Sequence, residues 1–265
     1  MASPRPLREM PETARRAIRG VLADIDDTIT TEGALTPEAY AALARLKRAG
    51  KLVVPVTGRP AGWCDHIARM WPVDGVVGEN GALWMRHDAR SGKLLRGFVD
   101  DAATRRANRA RLAAIGEKIL AAIPGTALAS DQAYREADLA IDFREDVPAL
   151  PREVIDRIVA MMEAEGMTAK VSSIHVNGWF GRYDKLATAR TFLREAFAID
   201  LDAERDRFVF AGDSPNDAPM FGFFPHAVGV ANVRAFLDRI ATPPRWITDA
   251  EAGAGFVELA DFLLG

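Results

Sequence analysis

Apolar runs along this chain stop abruptly at polar clusters. Val21-Leu22-Ala23 gives way to Asp24-Ile25-Asp26-Asp27-Thr28, and Leu52-Val53-Val54-Pro55-Val56 to Thr57-Gly58-Arg59. Val76-Val77-Gly78 ends in Glu79-Asn80-Gly81, and Phe208-Val209-Phe210-Ala211 in Gly212-Asp213-Ser214-Pro215-Asn216-Asp217. Short runs rich in β-branched and aromatic residues predict buried strands, here over 18–24, 51–56, 75–78 and 207–211. Amphipathic stretches separate them. Thr36-Pro37 opens a helix to Ala49 whose one face carries Ala39, Leu43 and Leu46, and Gly50 stops it. Further helices are predicted over 61–70, 184–197, 233–240 and 253–263, with strands over 227–230 and, at an edge, 245–247. Strand and helix in alternation predict an α/β fold around a parallel sheet.

The rhythm changes in the middle. Residues 82–85 and 93–98 read as a hairpin, 101–123 as a long helix, and 139–143, 167–172 and 174–180 as strands around a helix over 151–165. Hairpin strands mixed with helices predict an α+β insert over 82–183, set within a core of 17–81 and 184–265. Residues 1–16, with three prolines and no apolar core segment, read as a flexible tail.

Composition narrows the function. Of 265 residues, 49% are apolar and 27% charged, which is ordinary for a globular protein. A net charge of -3 gives no electrostatic footprint for nucleic acid, and no apolar run reaches the roughly eighteen residues that cross a bilayer. The single cysteine, Cys64, excludes an internal disulfide and points to a reducing compartment, the cytoplasm.

The polar clusters carry the chemistry. In a parallel sheet, strand ends share one edge, so Asp24, Asp26, Thr57, Gly58, Lys185, Asp213, Asn216 and Asp217 can converge. Crowded carboxylates call for a hard cation, for which oxygen ligands with retained waters suit Mg²⁺. A lysine, a hydroxyl and glycine-exposed amides suit a phosphate.

In this order and setting, Asp24-Ile25-Asp26-Asp27-Thr28, Thr57-Gly58-Arg59, Lys185 and Gly212-Asp213-Ser214-Pro215-Asn216-Asp217 resemble the motifs of the haloacid dehalogenase-like superfamily of phosphotransferases. The insert resembles the cap of subclass IIB, the branch of sucrose-phosphate and mannosyl-3-phosphoglycerate phosphatases and Cof-type sugar phosphatases. The resemblance implies a Rossmann-like core with an inserted cap, and a Mg²⁺-dependent phosphomonoester hydrolase acting on a sugar phosphate or phosphorylated sugar acid. It casts Asp24 as nucleophile and Asp26 as general acid and base. The metal would lie on Asp24, the Asp26 carbonyl and Asp213, supported by Asp217. Thr57, Gly58, Lys185 and Asn216 would surround the phosphate. Where the commonest first motif has glycine, this chain has Asp27. Arg59 is open to two readings, substrate contact or helix cap. Asn80, His175 and Asn177 are candidates to face the leaving group.

Other features read as packing. Cys64, Asp65 and His66 are too close in sequence to face one another on a helix. His66, His87, His175 and His226 lack metal-ligand spacing. The tryptophans read as core, with Trp179, just ahead of Lys185, the exception to watch. The expected partner is a small phosphorylated metabolite, not nucleic acid or a membrane. Two alternatives stay open: a phosphohexomutase of the same fold, whose longer glycine-rich fourth motif is absent here, and a non-catalytic phosphometabolite-binding module.

Overall fold

A computed structural model describes residues 3–265. In chain order the elements are β1 (Arg5–Pro6), α1 (Glu12–Ala17), β2 (Gly20–Ala23), α2 (Pro37–Arg48), β3 (Leu52–Pro55), α3 (Ala61–Met70) and β4 (Val76–Gly78). Next come β5 (Leu83–Asp88), β6 (Lys93–Phe98), α4 (Ala102–Ala122), β7 (Ala127–Leu128), β8 (Asp138–Asp142), α5 (Arg152–Ala164), β9 (Thr168–Val171) and β10 (His175–Trp179). The chain closes with α6 (Lys185–Phe197), α7 (Leu201–Glu204), β11 (Phe208–Gly212), α8 (Ala218–Phe223), β12 (Val228–Gly229), β13 (Trp246–Ile247) and α9 (Ala252–Leu264).

The central sheet runs β1-β13-β12-β11-β2-β3, every neighbouring pair parallel. Its side chains alternate in the period of a strand. Val21, Ala23, Val209 and Ala211 pack with Leu43 and Leu46 of α2, Ile67 of α3 and Phe256 of α9 on one face. Leu22, Phe208 and Phe210 pack with Phe192 and Leu193 of α6 and Phe221 of α8 on the other. Each large apolar side chain so buried contributes about 1.5–3 kcal/mol. A sheet covered on both faces is why the strands read as continuous apolar runs.

A second sheet, β7-β8-β10-β9, is antiparallel. Leu139, Ile141 and Val176 face a small core formed by Leu112, Ile115 and Ile119 of α4 and Ile158 and Met162 of α5. By the same alternation Asp138, Asp142, His175, Asn177 and Trp179 lie on the opposite, uncovered-by-helix face, all of them buried.

Several expectations need correcting. The tail is built into the fold: Arg5 N donates to Arg245 O at 2.9 Å, Leu7 and Met10 are buried, and β1 extends the sheet beyond β13, so β13 is not an edge. Pro6, lacking an N–H, is tolerated because β1 is the outermost strand. The hairpin β5–β6 does not open the insert. It pairs with β4, and Leu83 and Met85 join the main core, so the inserted layer starts after Phe98 rather than at Ala82. The stretch after β12 is a 3-10 helix, Ala231–Phe236, rather than an α-helix over 233–240.

Candidate active site

The carboxyl ends of β2, β3, β4 and β11 meet, and Lys185 at the first position of α6 points among them. Lys185 Nζ donates to Asp24 Oδ1 and to Asp217 Oδ1, both at 2.8 Å. Asp184 caps α6, accepting from Ala187 N at 2.7 Å, which fixes where the helix and its lysine begin. The other oxygen of Asp217 accepts from the backbone N–H of Asp213 and Ser214, at 3.2 and 3.4 Å. Asp213 receives Thr28 Oγ1 at 3.3 Å and Asn232 Nδ2 at 3.3 Å, and the same amide donates to Asp27 O at 2.9 Å. Asp27 takes φ 54°, a left-handed turn that aspartate tolerates better than most residues.

Carboxylate oxygens of Asp24, Asp213 and Asp217 lie within 4.8 Å of one another, and all three residues are buried. Burial pushes Asp24 up to about 7, and Asp217 and Asp26 push the same way against the pull of Lys185. Asp213 is raised well above the ordinary range by burial and then by Asp24 and Asp217. Lys185 is held protonated: burial opposes its charge, but Asp217 and Asp24 outweigh it. One lysine thus faces three carboxylates. A further positive charge on Asp24 and Asp213 relieves that imbalance, and an all-oxygen donor set fits a hard divalent cation. Asp217 is committed to Lys185 and two amides, so it supports the cluster rather than offering a free oxygen.

Two turns pack together beside this cluster. Thr57 Oγ1 accepts from Arg59 N at 3.0 Å, which tightens the turn after β3. The turn after β4 rests on it: Glu79 N donates to Arg59 O and Asn80 N to Thr57 O, each at 3.0 Å. Glu79, Asn80 and Gly81 all have positive φ, 45°, 54° and 105°, a run that costs strain at each non-glycine position. A Cβ at Gly58 would lie 3.2 Å from Asn80 Nδ2, a tight contact that would press on the Asn80 side chain. Asn216 accepts from Ser214 Oγ at 2.7 Å and lines, with Asn80 and Lys185, a cavity of about 260 Å³ under β9 and β10.

Arg59 does not cap α3. Its guanidinium serves three carboxylates: Asp26 at 2.8 Å, Asp131 at 3.3 Å and Glu145 at 2.7 Å, while the ring of Trp63 lies 4.4 Å away. Glu79 rather than Arg59 accepts from Ala61 N at the start of α3, at 2.8 Å. His175 and Asn177 share a sheet face with Trp179 but do not themselves line the cavity. His175 Nε2 lies 2.9 Å from Glu145 Oε2, and Asn177 Nδ2 donates to Asp138 Oδ2 at 3.0 Å. Burial works to raise Glu145, but His175 and Arg59 pull it down to about 2. A neighbouring arginine, Arg135, bridges Asp131, Asp138 and the Gly58 carbonyl at 2.8–2.9 Å. Cys64 is a buried core thiol, pushed up by burial and Glu79.

Sequence reasoning missed Thr28 and Asn232 as partners of Asp213, although both sit at strand ends. It also missed Glu79, Asp131, Arg135, Asp138 and Glu145, which carry no local motif.

Residues 21–99 match a family model described as haloacid dehalogenase-like hydrolase. A search of curated proteins by sequence finds no match. Among solved structures, the chain is similar to Thermoplasma acidophilum 0175, with TM-score 0.67 and 18% identity over 93% of this chain and 98% of that one. It is similar to the sucrose-phosphatase of Synechocystis in complex with sucrose and phosphate, with TM-score 0.62 and 18% identity over 93% and 98%. The C-terminal domain of Candida albicans trehalose-6-phosphate phosphatase (C. albicans) gives TM-score 0.71 and 13% identity over 99% and 98%.

Proposed function

We propose that this chain, whose residues 21–99 match the haloacid dehalogenase-like hydrolase model, is a Mg²⁺-dependent phosphomonoester hydrolase acting on small phosphorylated sugars or sugar acids. One observation carries the reading: Lys185 Nζ sits at 2.8 Å from both Asp24 and Asp217, with Asp213 in the same cluster. Residues 17–99 and 184–265 form the catalytic core on this view, and residues 100–183 a lid.

On this reading the labour divides as the motif resemblance implies. Asp24 attacks phosphorus, forming an aspartyl–phosphate bond as the bond to the alcohol breaks. Asp26 gives a proton to the leaving oxygen, then takes one from the water that cleaves the intermediate and frees Asp24. Lys185, the Thr57 hydroxyl and the Gly58 amide hold oxygens of the transferring group, whose stabilisation is most of what a protein contributes to this reaction. Mg²⁺ held by Asp24, Asp213 and the Asp26 carbonyl would supply further charge neutralisation there. Lid residues exclude bulk water from the cluster.

The test is release of inorganic phosphate from p-nitrophenyl phosphate with Mg²⁺. Loss of turnover in Asp24→Asn supports the reading, and full turnover in that variant contradicts the mechanism. Glucose 1-phosphate separates the remaining alternative: free phosphate marks a hydrolase, glucose 6-phosphate a mutase.

A further inference from the structure

We infer that the leaving group carries a second anionic group, read by Lys170 and Arg182 at the mouth of the lid cavity. The inference rests on the phosphatase reading above and narrows its substrate class.

The cavity of about 260 Å³ next to Lys185 is lined by Asn80 and Asn216 from the core and by Lys170, Trp179, Arg182 and Tyr183 from the lid side. Its polar groups are predominantly donors. Asn80 Nδ2, Trp179 Nε1 and the Tyr183 hydroxyl are buried and have no hydrogen-bond partner. An unmet buried donor costs about 1–3 kcal/mol; Asn80 Nδ2 and Trp179 Nε1 border the cavity wall, whereas the Tyr183 hydroxyl lies under the influence of Asp138 and Glu79. Lys170 and Arg182 line the cavity, are exposed to solvent and make no ion pair among the described residues. The one carboxylate in the lining, Asp184, is engaged as the cap of α6. Lys185 is already neutralised by Asp24 and Asp217.

A neutral sugar needs acceptors for its hydroxyl protons as well as donors. A wall rich in donors and carrying two free cations suits oxygens that only accept, those of a carboxylate or a second phosphate. The ligand chemistry is therefore a phosphate monoester of an acidic alcohol.

Matched pairs test this in the intact protein with Mg²⁺: 6-phosphogluconate against glucose 6-phosphate, and fructose 1,6-bisphosphate against fructose 6-phosphate. The first pair reads a carboxylate, the second a phosphate. Expected is a kcat/KM at least about tenfold higher for the acidic member of one pair, the worth of two charge-assisted contacts at partial exposure. That ratio should fall as salt is added, since the contacts are partly solvated. Lys170→Glu with Arg182→Glu should lower the ratio below one, acting mainly through KM. Both side chains are exposed, and melting curves show whether the double variant folds. If it does not fold, the salt dependence of the wild-type ratio decides alone. Equal rates within both pairs and a ratio indifferent to salt overturn the inference and leave the phosphatase reading standing. No turnover of any phosphomonoester, p-nitrophenyl phosphate included, overturns both.

Discussion

Arg59 and Asp26 form an ion pair at 2.8 Å whose guanidinium side is almost sealed, at 4% exposure. The same guanidinium reaches Asp131 and Glu145, far along the chain in the inserted layer. A buried cation shared by three carboxylates is strongly coupled to each. Replacing it with an apolar residue strands Asp26 and leaves Asp131 to Arg135 and Glu145 to His175 alone. Arg59→Met is expected to lose about 3–5 kcal/mol of stability and most of its turnover. Denaturant melts and p-nitrophenyl phosphate kinetics check both. Glu145→Gln, which keeps the Asp26 contact, should cost less in both measurements.

The acidic cluster predicts how stability varies with pH. Asp24 and Glu79 both lie near 7 when folded, above the ordinary 3.8 and 4.5, with burial the main cause. Folding therefore favours their protonated forms. Their contribution is fully present below about pH 4 and is lost as pH rises toward 7. Without divalent metal, the melting temperature should fall between about pH 5 and pH 8. Added Mg²⁺ should raise it more at pH 8 than at pH 5, and Asp24→Asn should flatten the metal-free slope. A metal-free melting temperature that rises over this interval would contradict the assignment. Glu145, drawn down to about 2, acts in the opposite sense and only below about pH 4.5.

Lys185 separates stability from catalysis. Removing its charge in Lys185→Met leaves Asp24 and Asp217 buried without their cation, which should destabilise the fold by about 3 kcal/mol or more. Adding Asp217→Asn should recover part of that loss. Activity should stay absent in both variants, because the transferring phosphate has lost its cation. Melting curves with parallel phosphate-release assays distinguish the two effects.

Chelation should abolish phosphate release, and Mg²⁺ should restore it. The readout independent of turnover is the melting temperature, which should rise with Mg²⁺ in the wild type and much less in Asp213→Asn.

Gly81→Ala tests the strained turn after β4. Gly81 has φ 105°, and a Cβ would fall 2.1 Å from Asp184 O, a backbone atom that cannot step aside. The variant should lose about 3 kcal/mol. It should also lose activity, because Asp184 sets the start of the helix that carries Lys185.

Most of the polar rim was readable because its members at strand ends follow apolar runs that a buried strand explains; Lys185, at the start of α6, does not. Asp24, Thr57 and Asp213 announce themselves by position. Asn80 was legible for the same reason. The partners of Arg59 were not: Asp131 and Glu145 lie 72 and 86 residues away, and only tertiary folding brings them close. His175 and Asn177 were placed on the right strand, yet alternation says which face they take and not which neighbour waits there. The first strand was invisible because two residues, Arg5 and Pro6, carry no period. The hairpin β5–β6 was recognisable as a hairpin, but its pattern is the same whichever sheet it joins.

Two short contacts at the root of the insert have a practical consequence. Val99 N donates to Ala82 O at 2.9 Å where the chain leaves, and Thr188 Oγ1 donates to Gly81 O at 2.5 Å just after it returns. Exit and re-entry are thus stapled to one pair of adjacent residues. A graft that swaps everything between those staples for a foreign module inherits a ready-made socket, but it must bring its own carboxylates for Arg59, because Asp131 and Glu145 leave with the insert.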